Sequence, residues 1–237
     1  MVEENHSASA AWLDEAVLVP VAEINELLIE ILRDTAARAP LAPLAALADL
    51  APAAPIAHGA QRLLPIPLPR LVGSLHELWC SLDTPAQRRM ARCPYLLLDA
   101  GFAAPERWEW ASLERAGLER ARLEGGVMDG PAPRGYFASP AGVALVRRAL
   151  VFAWHLARSN RVSARMLLGM TADCAERIAA MPIRDLEALA EFCPVWIAPR
   201  WEHRPAVWRQ LMQAAIKGAE PALTQVRLRG VQLLAGG

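Results

Sequence analysis

The placement of proline constrains this chain more than any other feature. Proline fixes φ and has no backbone N–H, so it breaks a helix interior but suits a helix's first turn. Seven of the 19 prolines crowd into residues 39–69: Pro40, Pro43, Pro52, Pro55, Pro65, Pro67 and Pro69. A short helix fits between Pro43 and Pro52, and regular structure is broken elsewhere in the stretch. Leu63, Leu64, Ile66 and Leu68 make it too apolar for a free linker, so it is expected to lie along the surface of a helical body. Other prolines act as punctuation. Pro85, Pro140, Pro182 and Pro221 stand where helices are expected to begin, and Pro194 and Pro199 hold residues 193–200 extended.

Between the prolines the apolar pattern is helical. Over residues 21–37, Ala22, Ile24, Leu27, Leu28, Ile31 and Leu32 recur at spacings of three and four, which makes an amphipathic helix. Residues 71–82 read as one helix, and the next starts with Thr84 as N-cap and Pro85 at its first position. From Tyr95 to Asp99 a short helical turn stopped by Gly101 is expected, rather than a strand. The turn-forming residues 124–135 mark a boundary. Beyond them Ser139 caps and Pro140 opens a helix expected to run unbroken to Leu168, about 45 Å at 1.5 Å per residue, and to stop at Gly169. Helices over 171–181 (capped by Thr171), 183–192 and 205–217, and a weaker one after Pro221, complete the pattern. Ala, Leu and Arg dominate while Tyr numbers two and Phe four, which favours helix over strand. The expected fold is all-α: an irregular helical bundle, with a helical N-terminal region over 1–138 and a helical module over 139–237.

Several function classes lack their residues. No run of about 18 apolar residues exists, so membrane insertion is not expected. The acidic start, with Glu3 and Glu4, does not suit a secretory signal, and a cytoplasmic location follows as the expectation. Cys80, Cys93, Cys174 and Cys193 form no CxxC pair and read as buried thiols. His6, His58, His76, His155 and His203 show neither HExxH nor H-x3-H spacing. A phosphate-binding loop, GxGxxG and GxSxG are also missing. No metal, no cofactor and no enzymatic activity are expected. Glu187 and Glu191, four apart, read as a solvated helix face.

Charge is uneven along the chain. Residues 1–139 carry 12 basic against 18 acidic side chains, a net of −6, and residues 140–237 carry 13 against 7, a net of +6. An anionic partner such as nucleic acid and mutual attraction of the two parts explain this equally well. Near the end, Trp196, Trp201 and Trp208 interleave with Arg200, Arg204 and Arg209. Such interleaving suits a structural clamp over helix ends, a protein interface, or stacking on bases.

One stretch carries a resemblance. Residues 172–192 form helix, Pro-initiated turn, helix, a pattern shared by DNA readers and ordinary helix packing. Before and after it stand residues 150–156, residues 164–170 with Leu168-Gly169, then Leu189-Ala190-Glu191 and Arg200-Trp201. Together, over residues 143–202, they resemble the FlhD family, a subunit of the bacterial flagellar master regulator. The resemblance implies a homodimer, an FlhC-like protein partner, and activation of transcription as a joint complex whose DNA contact belongs largely to the partner. On that footing Arg158, Arg161, Arg165, Arg200 and Arg204 are expected to face DNA or a partner. Val146, Leu150, Trp154, Trp201 and Trp208 are expected to form the interface. The family's intersubunit cysteine falls at Ile197, so no disulfide-linked dimer is expected, and residues 1–138 have no counterpart. The rival expectation is a scaffold or accessory protein of a bacterial secretion apparatus, suited to the apolar Pro-rich segment and the Trp-rich end.

Overall fold

A computed structural model of the chain describes residues 15–38, 69–109, 136–137, 139–192 and 196–236. The expectations for the Pro-rich residues 39–68, the boundary at 124–135, Cys193 and Pro194 lie outside the described residues.

The fold is all-α, with one short strand pair among the described residues. Helix α1 (Glu15–Arg38) starts upstream of the expected residue 21 and carries Pro20 near its beginning. It buries Val21, Ile24, Leu28, Ile29, Leu32 and Ala36. Asn25 sits on the same buried stripe. Its Nδ2 donates to the carbonyls of Ala91 at 3.2 Å and Tyr95 at 2.9 Å, and its Oδ1 accepts from the Leu97 N–H at 2.8 Å. A buried amide is tolerated only when paired in this way, and the pairing pins residues 91–97 to α1.

Two short helices, α2 (Arg70–Ser74) and α3 (His76–Ser81), replace the single helix expected over 71–82. Leu75 leaves helical geometry at φ −128°. Residues 71, 75 and 79 keep helical spacing across the break, so periodicity does not reveal it. Helix α4 (Thr84–Ala91) is capped by Asp83 rather than Thr84: the Ala86 N–H donates to Asp83 Oδ1 at 2.7 Å. Both residue types cap well, and the carboxylate also complements the helix dipole.

Strand β1 (Leu98–Asp99) pairs antiparallel with β2 (Ala198–Pro199), Leu98 opposite Pro199 and Asp99 opposite Ala198. This corrects the helical turn expected around Tyr95 to Asp99. The segment is held extended by a partner a hundred residues away, which no local pattern shows.

Helix α5 (Pro140–Ser159) opens as expected, with the Gly142 N–H donating to Ser139 Oγ at 3.1 Å. It does not run on to Leu168. Asn160 breaks the helix: its N–H donates to the Leu156 carbonyl at 2.8 Å, and its Oδ1 accepts from the Ser163 N–H at 2.9 Å. It thus closes α5 and caps α6 (Arg161–Leu168). Helix α6 stops at Gly169, whose φ of +64° favours glycine. Helices α7 (Ala172–Ala180), capped by Thr171, and α8 (Ile183–Phe192) follow as expected. So do α9 (Pro205–Lys217) and α10 (Glu220–Ala235). Gly230 of α10 lies against the Tyr95 hydroxyl, where a Cβ has no room.

One core joins both ends of the chain. Helix α1 packs on α4 and α5, α5 on α7 and α8, and α9 on α4 and α10. Contacts among the described residues cross the position near residue 139. Three aromatic pairs cross it: Trp79 with Trp208 at 5.7 Å, Tyr95 with Trp201 at 5.6 Å, and Trp108 with Trp196 at 5.9 Å. Among the described residues two ion pairs cross it as well, Arg148 with Glu23, and Arg177 with Glu109 at 2.6 Å. Part of the charge asymmetry is thus spent inside the molecule, in favour of attraction between the two parts.

Candidate protein-interaction surface

Ten side chains are offered by the sequence for contact, and burial divides them. Val146 and Leu150 are fully buried in the chain's own core. Helices α1, α7 and α8 close over α5, so these two side chains are not open to a second subunit. Trp208 is buried too. Its Nε1 donates to the Arg200 carbonyl at 2.7 Å, and its ring lies against Trp79. Trp201 is half-buried, edge-on to Tyr95, with the unusual backbone φ of +54°. The Trp-rich end is a structural clamp.

Arg200 is also corrected. Only 6 % of it is exposed. Its Nε donates to the Leu96 carbonyl at 2.8 Å, and its Nη2 to the carbonyls of Leu168 at 2.9 Å and Leu98 at 3.3 Å. Burial holds its pKa below the ordinary arginine value, and the Asp99 carboxylate opposes that shift. Arg200 ties residues 96–98 to the end of α6 and has no guanidinium face left for DNA.

Three arginines are exposed, and two of them, Arg161 and Arg165, lie four apart on α6. Arg161 pairs with Glu176 at 3.4 Å. Arg165 lies on α6, and Arg204 stands just before α9.

Trp154 and Arg158 are in direct contact at the surface. They lie four apart on α5, so they share a face. The Arg158 guanidinium carbon stands 4.5 Å from the Trp154 ring centroid, a cation–π contact. Both side chains also reach the C-terminal end of α7. Trp154 Nε1 donates to the Met181 carbonyl at 2.9 Å, and Arg158 Nη1 to the Ala179 carbonyl at 3.3 Å. The last carbonyls of a helix have no internal partner and attract cations, which explains why these donors settle there. Exposed His155 stands edge-on to the indole at 4.8 Å. Two residues beyond Met181, Ile183 is 44 % exposed. An indole, a guanidinium and an exposed aliphatic side chain therefore stand where α5 meets the α7–α8 turn. Trp and Arg are the residue types that most often dominate binding energy between proteins. The sequence showed Trp154 and Arg158. Met181 and Ile183 were missed because the turn's approach to α5 is a tertiary feature.

The α7–α8 pair makes a poor DNA reader. The outward residues of α8 include Arg184, Glu187, Ala188 and Glu191. Two carboxylates there outnumber one guanidinium, and phosphates would be repelled.

The thiols are of two kinds. Cys93 and Cys174 are buried, as expected, and Cys80 is exposed, contrary to expectation. Burial pushes the Cys93 thiol up to about 11 and raises Cys174 as well. Both are held as the unreactive thiol. Among the described residues no three His, Cys, Asp or Glu side chains converge as a metal site would require, and no helix is long and apolar enough to cross a membrane. No protein-family model, curated protein or solved structure matches this chain.

Proposed function

We propose that this chain is a non-enzymatic subunit of a transcription regulator of the FlhD-like kind, working by contact with a protein partner through the Trp154–Arg158 surface. The carrying observation is that two candidate contact residues, of types that often dominate binding energy between proteins, touch each other at the surface. The resemblance over residues 143–202 supplies the regulatory role and the FlhC-like character of the partner. In this reading DNA is bound by the joint complex, since Arg200 is buried and α8 faces outward with its carboxylates. Dimerisation through Val146 and Leu150 is not part of it.

The test is a mobility shift of promoter DNA by the chain alone, the co-expressed partner alone, and both together, at two salt concentrations. A shift that needs both proteins and weakens with salt is expected. A partner that binds DNA equally well without this chain would refute the reading.

A second reading, an accessory protein of a bacterial secretion apparatus, is favoured by the same acidic face of α8, which suits protein contacts better than phosphates. Recovery of secretion components with no effect on any promoter would favour it.

A further inference from the structure

Helices α9 and α10 form an open groove of about 320 Å³ whose polar lining is two cationic side chains and three carboxamides. Gln210, Gln213 and Lys217 recur along one face of α9, and Gln225 and Arg229 along one face of α10. Small apolar residues form the rest of the lining and leave the space open. Arg229 Nη1 donates to Gln210 Oε1 at 3.2 Å, which links the two helices and leaves further guanidinium N–H groups uncommitted by that bond. No carboxylate lines the groove. The nearby acid, Glu220, accepts from Arg227 Nη1 at 2.9 Å instead.

Two cations thus share one small space with three carboxamides and, among the described lining residues, no carboxylate. The helix dipole explains Lys217, which lies in the last turn of α9. It does not explain Arg229 or the glutamines. A phosphoryl group carries roughly 1.5 to 2 negative charges at neutral pH and three strong acceptor oxygens, which complements this lining better than a singly charged carboxylate does. The volume lies at the low end of small-ligand sites, which begin at about 300 Å³.

We propose that the α9–α10 groove binds a small phosphorylated molecule, with Lys217 and Arg229 neutralising its phosphoryl oxygens and the glutamines donating to them. The site does not use the Trp154–Arg158 surface, so either can fail alone. Free phosphoryl ligands and the phosphates of nucleic acid share this chemistry, and saturable binding of a free pyrophosphate distinguishes the first from the second.

The test is calorimetric titration of the full chain with inorganic pyrophosphate, and separately with a short single-stranded oligonucleotide. Saturable binding of pyrophosphate is expected, weakened about tenfold by either Lys217→Gln or Arg229→Gln. Arg229→Lys, which keeps the charge, should retain more affinity than Arg229→Gln, and Arg165→Gln on α6 should bind as the native chain does. Circular dichroism checks that each variant is folded. Three results would each overturn the proposal: no saturable binding of pyrophosphate, an equal loss in Arg165→Gln, or binding of the oligonucleotide with none of pyrophosphate.

Discussion

A guanidinium has five N–H donors and no acceptor, so a buried arginine settles where carbonyl oxygens converge. Arg200 does this with the carbonyls of Leu96, Leu98 and Leu168. Removing it leaves buried acceptors unpaired, each costing about 1–3 kcal/mol. Arg200→Leu should therefore lower unfolding stability by about 3 kcal/mol or more, and Arg204→Leu, at an exposed site, by less than about 0.5 kcal/mol. Urea titrations of both variants check this, and equal losses would contradict the role given to Arg200. Cys93 carries a different prediction. Its folded pKa, about 11, lies above its ordinary value of 9.0, so the folded state holds the proton more tightly. The resulting stability is complete below pH 9.0 and is lost as pH rises through about 11. Thermal melts across that range should show stability falling with pH, and Cys93→Ala should show a shallower fall. The residue scale was half legible. Asn25 stands out in sequence as a polar residue on an apolar stripe, and Arg200 stands out beside Trp201. What each bonds to depends on carbonyls 32 to 104 positions away.

Local capping chemistry survives into the structure wherever nothing distant competes with it. Ser139, Gly169 and Thr171 cap or stop their helices as their residue types dictate. Asn160 was legible in principle, since asparagine favours caps. It was read through because the apolar stripe continues on both sides of it. Asn160→Ala should cost about 1 kcal/mol by removing the α6 cap, measurable as a drop in unfolding midpoint. No loss would mean that the break is imposed by packing alone. The strand pair of Leu98–Asp99 with Ala198–Pro199 was not legible, because its two halves are each only two residues long and meet across the molecule. The helices over 172–192 were legible as helices. Their use was not, because the outward charge of α8 becomes clear only once its buried face is fixed.

As a whole, the molecule is bound together across the midpoint where its charge changes sign. Trp79, Tyr95 and Trp108 from one side meet Trp208, Trp201 and Trp196 from the other in tilted or edge-on contacts. The tryptophans that suggest an interface in the sequence are therefore largely an internal one, and the surface proposed for a partner centres on Trp154 and Arg158. That surface was legible as a pair of residues four apart on a helix, but not as a site, because its other half comes from the α7–α8 turn. The most direct measurement of the central claim places a photo-crosslinking residue at Ile183 and identifies what it captures in the native cell, with and without Trp154→Ala. The account predicts one protein adduct at Ile183, at least tenfold weaker in the Trp154→Ala chain, and no adduct from the same probe at Arg165. Equal capture in the presence and absence of Trp154, or capture at Arg165 and none at Ile183, would contradict it.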